Sequence, residues 1–152
     1  MLGITWLSYF SYYFTRAPFR ATKTTLEDNN GYDKTDLMYI DTAYNLAYCG
    51  GMFANGALSD WLSARRLVAL GMLVSAVAVV AFERATTWFG AMLAVHMLLW
   101  GVNGLAQSTG WPGNSKIMAS WFGSKGRAQV MGLWSTCYQA GGLVASLLAA
   151  RL

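Results

Sequence analysis

The chain has 152 residues, of which 55% are apolar and 12% charged, and its formal net charge is +4 at pH 7. The charged share is about half that of soluble domains, which leaves too few charges to cover a soluble surface. Twenty-two aromatic residues exclude a disordered chain, two Cys exclude a disulfide scaffold, and the small, scattered positive charge argues against a nucleic-acid partner.

Five apolar segments have about the 20 residues that a helix needs to cross a bilayer. In chain order they run over 2–25, 37–58, 67–82, 88–107 with an apolar extension toward 121, and 128–150. The third is free of charge and rich in β-branched residues, as expected of a helix that faces lipid. The others carry polar side chains that we expect to face other helices or a watery cavity: Arg16, Arg20, Asp41, Asn45, Asn103, Gln107, Lys116 and Gln139. The predicted fold is an all-α, multi-pass membrane helix bundle.

The connections between these segments alternate in charge. The first carries four acidic residues and one lysine between Glu27 and Asp36, whereas the second carries Arg65 and Arg66 and the fourth Lys125 and Arg127. Basic connections stay in the cytoplasm, so the pattern predicts a cytoplasmic N-terminus. An odd number of spans then predicts that residues 1–152 are an incomplete part of a larger protein.

Small residues punctuate the second and fifth segments, several of them four positions apart. This spacing lets helix backbones approach closely, for packing alone or for helices that also slide. The residues are Gly50, Gly51, Ala54, Gly56, Gly141, Gly142, Ala145 and Ala149.

The only histidine, His96, has no second histidine or acid at ligand spacing and no catalytic triad around it. We expect it to be a packed, hydrogen-bonded side chain. The sequence therefore predicts neither an enzyme nor a bound cofactor or metal.

Three cations share one face of the first segment: Arg16, Arg20 and Lys23 follow one another at spacings of four and three. Arg16 lies near the predicted membrane centre, where an uncompensated charge is costly. Either an anionic substrate compensates it, because a guanidinium matches phosphate oxygens, or Asp41 forms an internal ion pair with it. Arg20 and Lys23 lie nearer the membrane surface and could reach the headgroups.

Lys116 follows the sequence Gly-Trp-Pro-Gly, a poor helix former that could free backbone groups to line a cavity. The alternative is a kink near the cytoplasmic end, from which Lys116 reaches the lipid headgroups.

Residues 56–66 resemble the loop motif of the major facilitator superfamily, in which Gly-x-x-x-Asp precedes basic residues. Gly56, Asp60 and Arg65 fit this pattern, whereas Trp61, Ser63 and Ala64 depart from it. The Asp60 carboxylate is expected to pair with Arg65 or with a helix N-terminus. A narrower resemblance is to the organophosphate:phosphate antiporters of that superfamily. It rests on residues 12–16, on Asn-Gly-x-x-Gln followed by Gly-Trp-Pro at 103–112, and on 121–142.

The resemblance implies the N-terminal part of a major facilitator fold, the first five of twelve helices, without the sixth helix and the C-terminal half. It implies exchange of a phosphorylated metabolite for inorganic phosphate in a plasma or organelle membrane, with no cofactor. A sugar-phosphate sensor and a carrier of another organic anion are the alternatives. Substrate contacts are expected from Arg16, Lys116, Tyr138, Gln107, Trp111 and Tyr13, and gating from Asp60 and Arg65. Met52 and Tyr138 stand where bacterial members have a lysine and a histidine, so the organic group is not specified.

Overall fold

The computed structural model describes residues 1–123 and 126–149, and within them every regular element is helical. Lys125 and the side chains of Arg20 and Ala149, which the sequence analysis named, lie outside the described part. The helices are α1 (Leu2–Tyr12), α2 (Ala17–Asn30), α3 (Lys34–Trp61), α4 (Ala64–Phe89), α5 (Leu93–Gln107), α6 (Gly110–Trp121), α7 (Arg127–Trp134) and α8 (Thr136–Ala149). A short 3-10 turn, Tyr13–Thr15, joins α1 to α2.

The helices follow the five predicted segments, and the all-α prediction is confirmed. Three segments are interrupted: the first between α1 and α2, the fourth between α5 and α6, and the fifth between α7 and α8. Among the described residues, α4 alone is a continuous helix long and apolar enough to cross a membrane. Five crossings therefore remain a prediction, whereas α4 fits the lipid-facing helix expected at 67–82.

The outer face of α4 is apolar. Leu73, Val77 and Val80 are each 61–62% exposed, although side chains of this kind are usually covered in a soluble protein. Its inner face packs against α5 and α6. The helix therefore has the two-sided apolar surface of a chain that contacts lipid on one side and protein on the other.

Local sequence explains where α3 begins. The Asp33 side chain accepts a hydrogen bond from the Asp36 backbone N–H, and the Asp36 side chain accepts one from the Asp33 N–H at 3.1 Å, which forms a capping box. The Asp33 side chain also accepts a hydrogen bond from the Lys34 N–H at 2.6 Å. Gly31 ends α2 in the left-handed conformation at φ +69°, which suits glycine. The turn between the two helices is thus only residues 31–33, while Glu27 and Asp28 of the acidic connection lie in α2 and Asp36 lies in α3.

Close helix contacts occur at some of the predicted small residues. A Cβ on Gly51 would lie 2.9 Å from Leu105 Cδ1, and one on Gly141 would lie 2.9 Å from the Tyr13 ring. At Gly50 and Gly56 a Cβ would meet nothing within 4 Å, so the prediction of close approach is wrong at these two positions. The tightest approach of α5 to α3 uses Gly104, which faces the backbone carbonyl of Tyr44.

His96 is fully buried and hydrogen-bonded, as predicted. Its Nδ1 lies 3.0 Å from the Tyr32 hydroxyl and 3.1 Å from the Met92 carbonyl, and its Nε2 lies 3.3 Å from the Thr86 hydroxyl. Burial raises the pKa of the Tyr32 phenol, and the nearby Asp36 carboxylate raises it further. This phenol therefore stays protonated and ties the turn after α2 to α5.

Candidate functional site

The first segment is interrupted next to Arg16. Tyr13–Thr15 form the 3-10 turn, Arg16 is the N-cap of α2, and Pro18 lies in the first turn of that helix. Proline has no N–H and clashes with a preceding helical turn, so it is tolerated at a helix start but not in a continuous helix. The break places Arg16 where two helix ends meet.

Fully buried polar side chains of α4 and α5 support this break. Asn103 donates to the Thr15 carbonyl at 3.3 Å, and Gln107 donates to the Thr15 hydroxyl at 2.8 Å. Ser75 Oγ lies 2.6 Å from Asn103 Oδ1 and 2.9 Å from Thr15 Oγ1. Within a membrane, backbone groups released by a helix break need a polar partner, and Asn103 supplies one to the Thr15 carbonyl. Gln107 and Ser75 bind the Thr15 hydroxyl and so hold the same turn through its side chain.

Neutral groups hold the Arg16 guanidinium. Its Nε donates to Gln107 Oε1, which also accepts a hydrogen bond from the Tyr44 hydroxyl at 3.0 Å. The guanidinium carbon lies 5.2 Å from the ring centres of Tyr13 and Tyr48, within cation–π range. Arg16 Nη2 is buried and has no hydrogen-bond partner in the described structure. The cation is therefore oriented, and one of its buried donor groups has no acceptor in the described structure.

Asp41 pairs with Lys23 and not with Arg16. Lys23 Nζ lies 2.6 Å from Asp41 Oδ2, so the predicted alternative of an Arg16–Asp41 ion pair is wrong. Lys23 was expected to reach the headgroups, and it instead binds a carboxylate on α3. The physical reason is distance along the helix: Lys23 lies seven residues beyond Arg16, about 10.5 Å at the usual helical rise.

A polar cavity of about 290 Å³ opens beside Arg16. Its size is near the lower end of the range for small-molecule sites. Its lining includes Arg16, Tyr44, Asn45 and the Lys23–Asp41 pair. Because Lys23 follows Arg16 by about two helical turns, the ion pair lies toward the end of the cavity away from Arg16. Phe19 and Trp100 line the wall, with ring centres 4.8 Å apart. The same cavity is therefore lined by Arg16, which neutral groups hold, and by the Lys23–Asp41 ion pair.

The predicted site residues fall into three places. Gln107 and Tyr13 contact Arg16 directly. Trp111 and Tyr138 lie in an aromatic cluster, with ring centres 5.5 Å apart, which reaches Tyr13 through Tyr9. Lys116 is brought to the loop motif and not to Arg16.

At the loop motif, Lys116 Nζ donates to Asp60 Oδ1 at 2.6 Å and to the Ser59 carbonyl. The expectation that Asp60 pairs with Arg65 or a helix N-terminus is corrected, because its ion partner is Lys116. The Gly-Trp-Pro-Gly sequence is helical and not unwound, because the break falls earlier, at Ser108 and Thr109, and Pro112 lies in the first turn of α6.

Sequence reasoning missed Tyr44, Tyr48, Thr15 and Ser75. Tyr44 and Tyr48 could have been found, because they follow Asp41 at helical spacing and thus share its face of α3. Thr15 and Ser75 carry no such signal, since hydroxyl residues are common in any membrane helix.

The sequence matches the Major Facilitator Superfamily over residues 5–152. The chain is 40% identical over 114 residues to sugar phosphate exchanger 3 of Xenopus laevis, covering 74% of this chain and 23% of that protein. The human protein of the same name is 39% identical over the same shares. A probable hexose phosphate transport protein of Chlamydia trachomatis is 29% identical over 142 residues, 93% of this chain and 30% of that protein. No solved structure matches.

The chain thus spans less than a third of the length of these relatives. The family match covers nearly all of its residues and includes both the Arg16 region and the loop motif. It also agrees with the apolar outer face of α4 in indicating an integral membrane protein. On this evidence the chain belongs to the major facilitator superfamily.

Proposed function

We propose that this chain is part of a membrane transporter that exchanges a phosphorylated sugar or similar organic phosphate for inorganic phosphate by alternating access. The names of the relatives support the substrate class. In this proposal residues 1–152 supply the first five helices, and the rest of the transporter completes the cavity. Arg16 binds the phosphate, and Gln107 and Tyr13 orient Arg16. Trp111 and Tyr138 pack against Tyr9, which in turn contacts and supports the Tyr13 ring.

One observation carries the proposal: Arg16 is positioned without a carboxylate in the described structure. Its hydrogen-bond partner is an amide, its neighbours are phenol rings, and Nη2 has no partner. A cation in this setting is stabilised most by an anion that brings oxygen acceptors. Phosphate oxygens match the planar donors of a guanidinium, which accounts for arginine rather than lysine at this position.

The test is exchange by the full-length protein in proteoliposomes. Uptake of labelled phosphate should require phosphate or a hexose phosphate inside the vesicle. Arg16→Lys keeps the charge but removes the planar donors, so phosphate affinity should fall about ten- to a hundredfold while membrane insertion is retained.

The matched control is Arg84→Lys, the same change at an exposed arginine of α4, which should bind phosphate normally. Normal phosphate binding by Arg16→Lys would contradict the assignment of Arg16. Phosphate binding without any exchange would instead indicate a sensor.

We also propose that the N-terminus and the loop motif lie in the cytoplasm and the turn after α2 on the other side. Probe cysteines are placed at the exposed positions Lys34 and Gly123, in a Cys49→Ala background because Cys49 is exposed and Cys137 buried. An impermeant thiol reagent applied to intact cells should label the first probe and spare the second. The reverse labelling pattern would invert the orientation.

A further inference from the structure

We infer that Asp41, kept neutralised by Lys23, binds hydroxyl groups of the organic part of the substrate and so distinguishes phosphorylated sugars from inorganic phosphate. The inference rests on the proposed function and extends it from the phosphate to the other end of the cavity. It concerns the side chains that line the cavity away from Arg16.

The two ends of the cavity differ in hydrogen-bonding character. Toward Arg16, the guanidinium is a donor group only, and its buried Nη2 has no acceptor in the described structure. At the other end, Asp41 Oδ2 binds Lys23, while Asp41 Oδ1 accepts no hydrogen bond from any described residue. Asn45 donates to the Asp41 backbone carbonyl at 2.8 Å, which leaves its own amide oxygen open as a second acceptor.

A phosphate group at neutral pH mostly accepts hydrogen bonds, whereas hydroxyl groups also donate them. Inorganic phosphate alone would be bound best by donors throughout, and a carboxylate nearby would repel it. A ligand with phosphate at one end and hydroxyls at the other fits both ends. Lys23 lies seven residues beyond Arg16, about 10.5 Å at the usual helical rise, so the two side chains face different parts of one bound organic phosphate.

The Lys23–Asp41 pair explains how a carboxylate is tolerated beside an anion site. Its side chains are 36% and 43% exposed, and Lys23 Nζ also lies 5.0 Å from the Phe19 ring. Lys23 cancels the charge of Asp41 while leaving Oδ1 accessible. Trp100, which lines the same cavity, has a buried Nε1–H without a partner in the described structure.

The test removes the pair without changing the net charge, in the full-length protein carrying both Lys23→Met and Asp41→Leu. Binding of inorganic phosphate and of a hexose phosphate is measured by competition against labelled phosphate. Hexose phosphate affinity should fall about ten- to a hundredfold, because hydrogen bonds to a charged acceptor are lost. Phosphate affinity should stay within about threefold, because Arg16 is untouched and the charge is balanced.

The matched control removes the second ion pair, with Lys116→Met and Asp60→Leu, and should leave the ratio of the two affinities unchanged. A second variant, Lys23→Asp with Asp41→Lys, restores a pair between α2 and α3 but moves the acceptor to the other helix. It should fold and should still discriminate poorly. If it regains full discrimination, the pair is a structural brace and the inference is wrong.

A deoxyhexose phosphate sharpens the result. The unmodified protein should bind at least one deoxy analogue more weakly than the hexose phosphate. The protein carrying Lys23→Met and Asp41→Leu should bind the two ligands equally. The reason is that removing the ligand hydroxyl and removing the protein acceptor delete the same hydrogen bond. Equal losses for phosphate and hexose phosphate, or no loss for either, overturn the inference and leave the Arg16 assignment intact. An unmodified protein that binds neither ligand overturns the proposed function itself.

Discussion

Arg16 and Lys116 are both cations within apolar segments, but their surroundings and their hydrogen-bond partners differ. Arg16 is half-buried at a helix break, bound to the amide of Gln107 and enclosed by tyrosine rings. Lys116 is exposed in the middle of α6 and forms an ion pair with Asp60, which lies near the end of α3 and whose side chain is 73% exposed. One cation is held by neutral groups and the other by a carboxylate.

The difference shows which of the two is available to a ligand. An exposed ion pair contributes at most about 1 kcal/mol to stability and already satisfies its charge, so Lys116 gains little from a further anion. A cation enclosed by amide and phenol groups keeps its charge without a counter-ion, at a cost that a bound anion removes. Three substitutions test this difference by changing the groups that surround Arg16 or Lys116.

The largest effect is expected from Gln107→Glu, which gives Arg16 the carboxylate that Lys116 already has. The new carboxylate would pair with Arg16 and repel phosphate, so phosphate affinity should fall about a hundredfold or more. Membrane expression should be retained, because the added charge has a partner. Competition binding and the yield of inserted protein measure the two effects.

The control is Asn55→Asp, which places a carboxylate at another buried amide of this bundle. The buried Asn55 donates to Ser108 Oγ at 2.7 Å and to the Leu105 carbonyl, and it forms no hydrogen bond with Arg16 in the described structure. It should lower stability and leave phosphate affinity of the folded fraction unchanged. Phosphate binding that survives Gln107→Glu would show that Arg16 does not contact the anion.

A smaller effect is expected from Tyr48→Leu, which removes one of the two aromatic rings that contact the Arg16 guanidinium while keeping an apolar side chain. A cation–π contact is worth about 0.5–2 kcal/mol, so phosphate affinity should fall roughly two- to thirtyfold. Tyr39→Leu is the matched control, since Tyr39 is an exposed tyrosine of the same helix. Equal affinities in the two variants would mean that the Tyr48 ring does not position Arg16.

The sequence identified the charged members of both regions but not their pairing. Arg16 and Gln107 stood out because polar side chains are rare in apolar segments, and the all-helical fold followed from segment length. The break at Tyr13–Thr15 was not predicted. Arg16 and Lys23 share one face of the first segment, so which of them meets Asp41 depends on where α3 places Asp41 along that face.

The loop motif was misread for a related reason. Asp60 and Arg65 are near in sequence, and the resemblance emphasised that proximity. The partner of Asp60 comes from α6, 56 residues away, and is set by how α6 packs against the end of α3. Pairings across helices depend on tertiary packing, which a single sequence does not specify.

The smallest change in binding is expected from Asp60→Asn, which removes the carboxylate from the exposed pair. Phosphate affinity should not change, because Lys116 lies apart from the Arg16 cavity, and stability should fall by less than about 1 kcal/mol. If the pair holds the end of α3 against α6 in one of two transport conformations, its loss shifts their balance and slows exchange several-fold. Lys116→Met should then slow exchange to the same extent, and combining the two changes should add nothing further, because both remove one interaction. Proteoliposome exchange rates beside equilibrium binding measure this, and an unchanged rate in both single variants would reduce the pair to a surface contact.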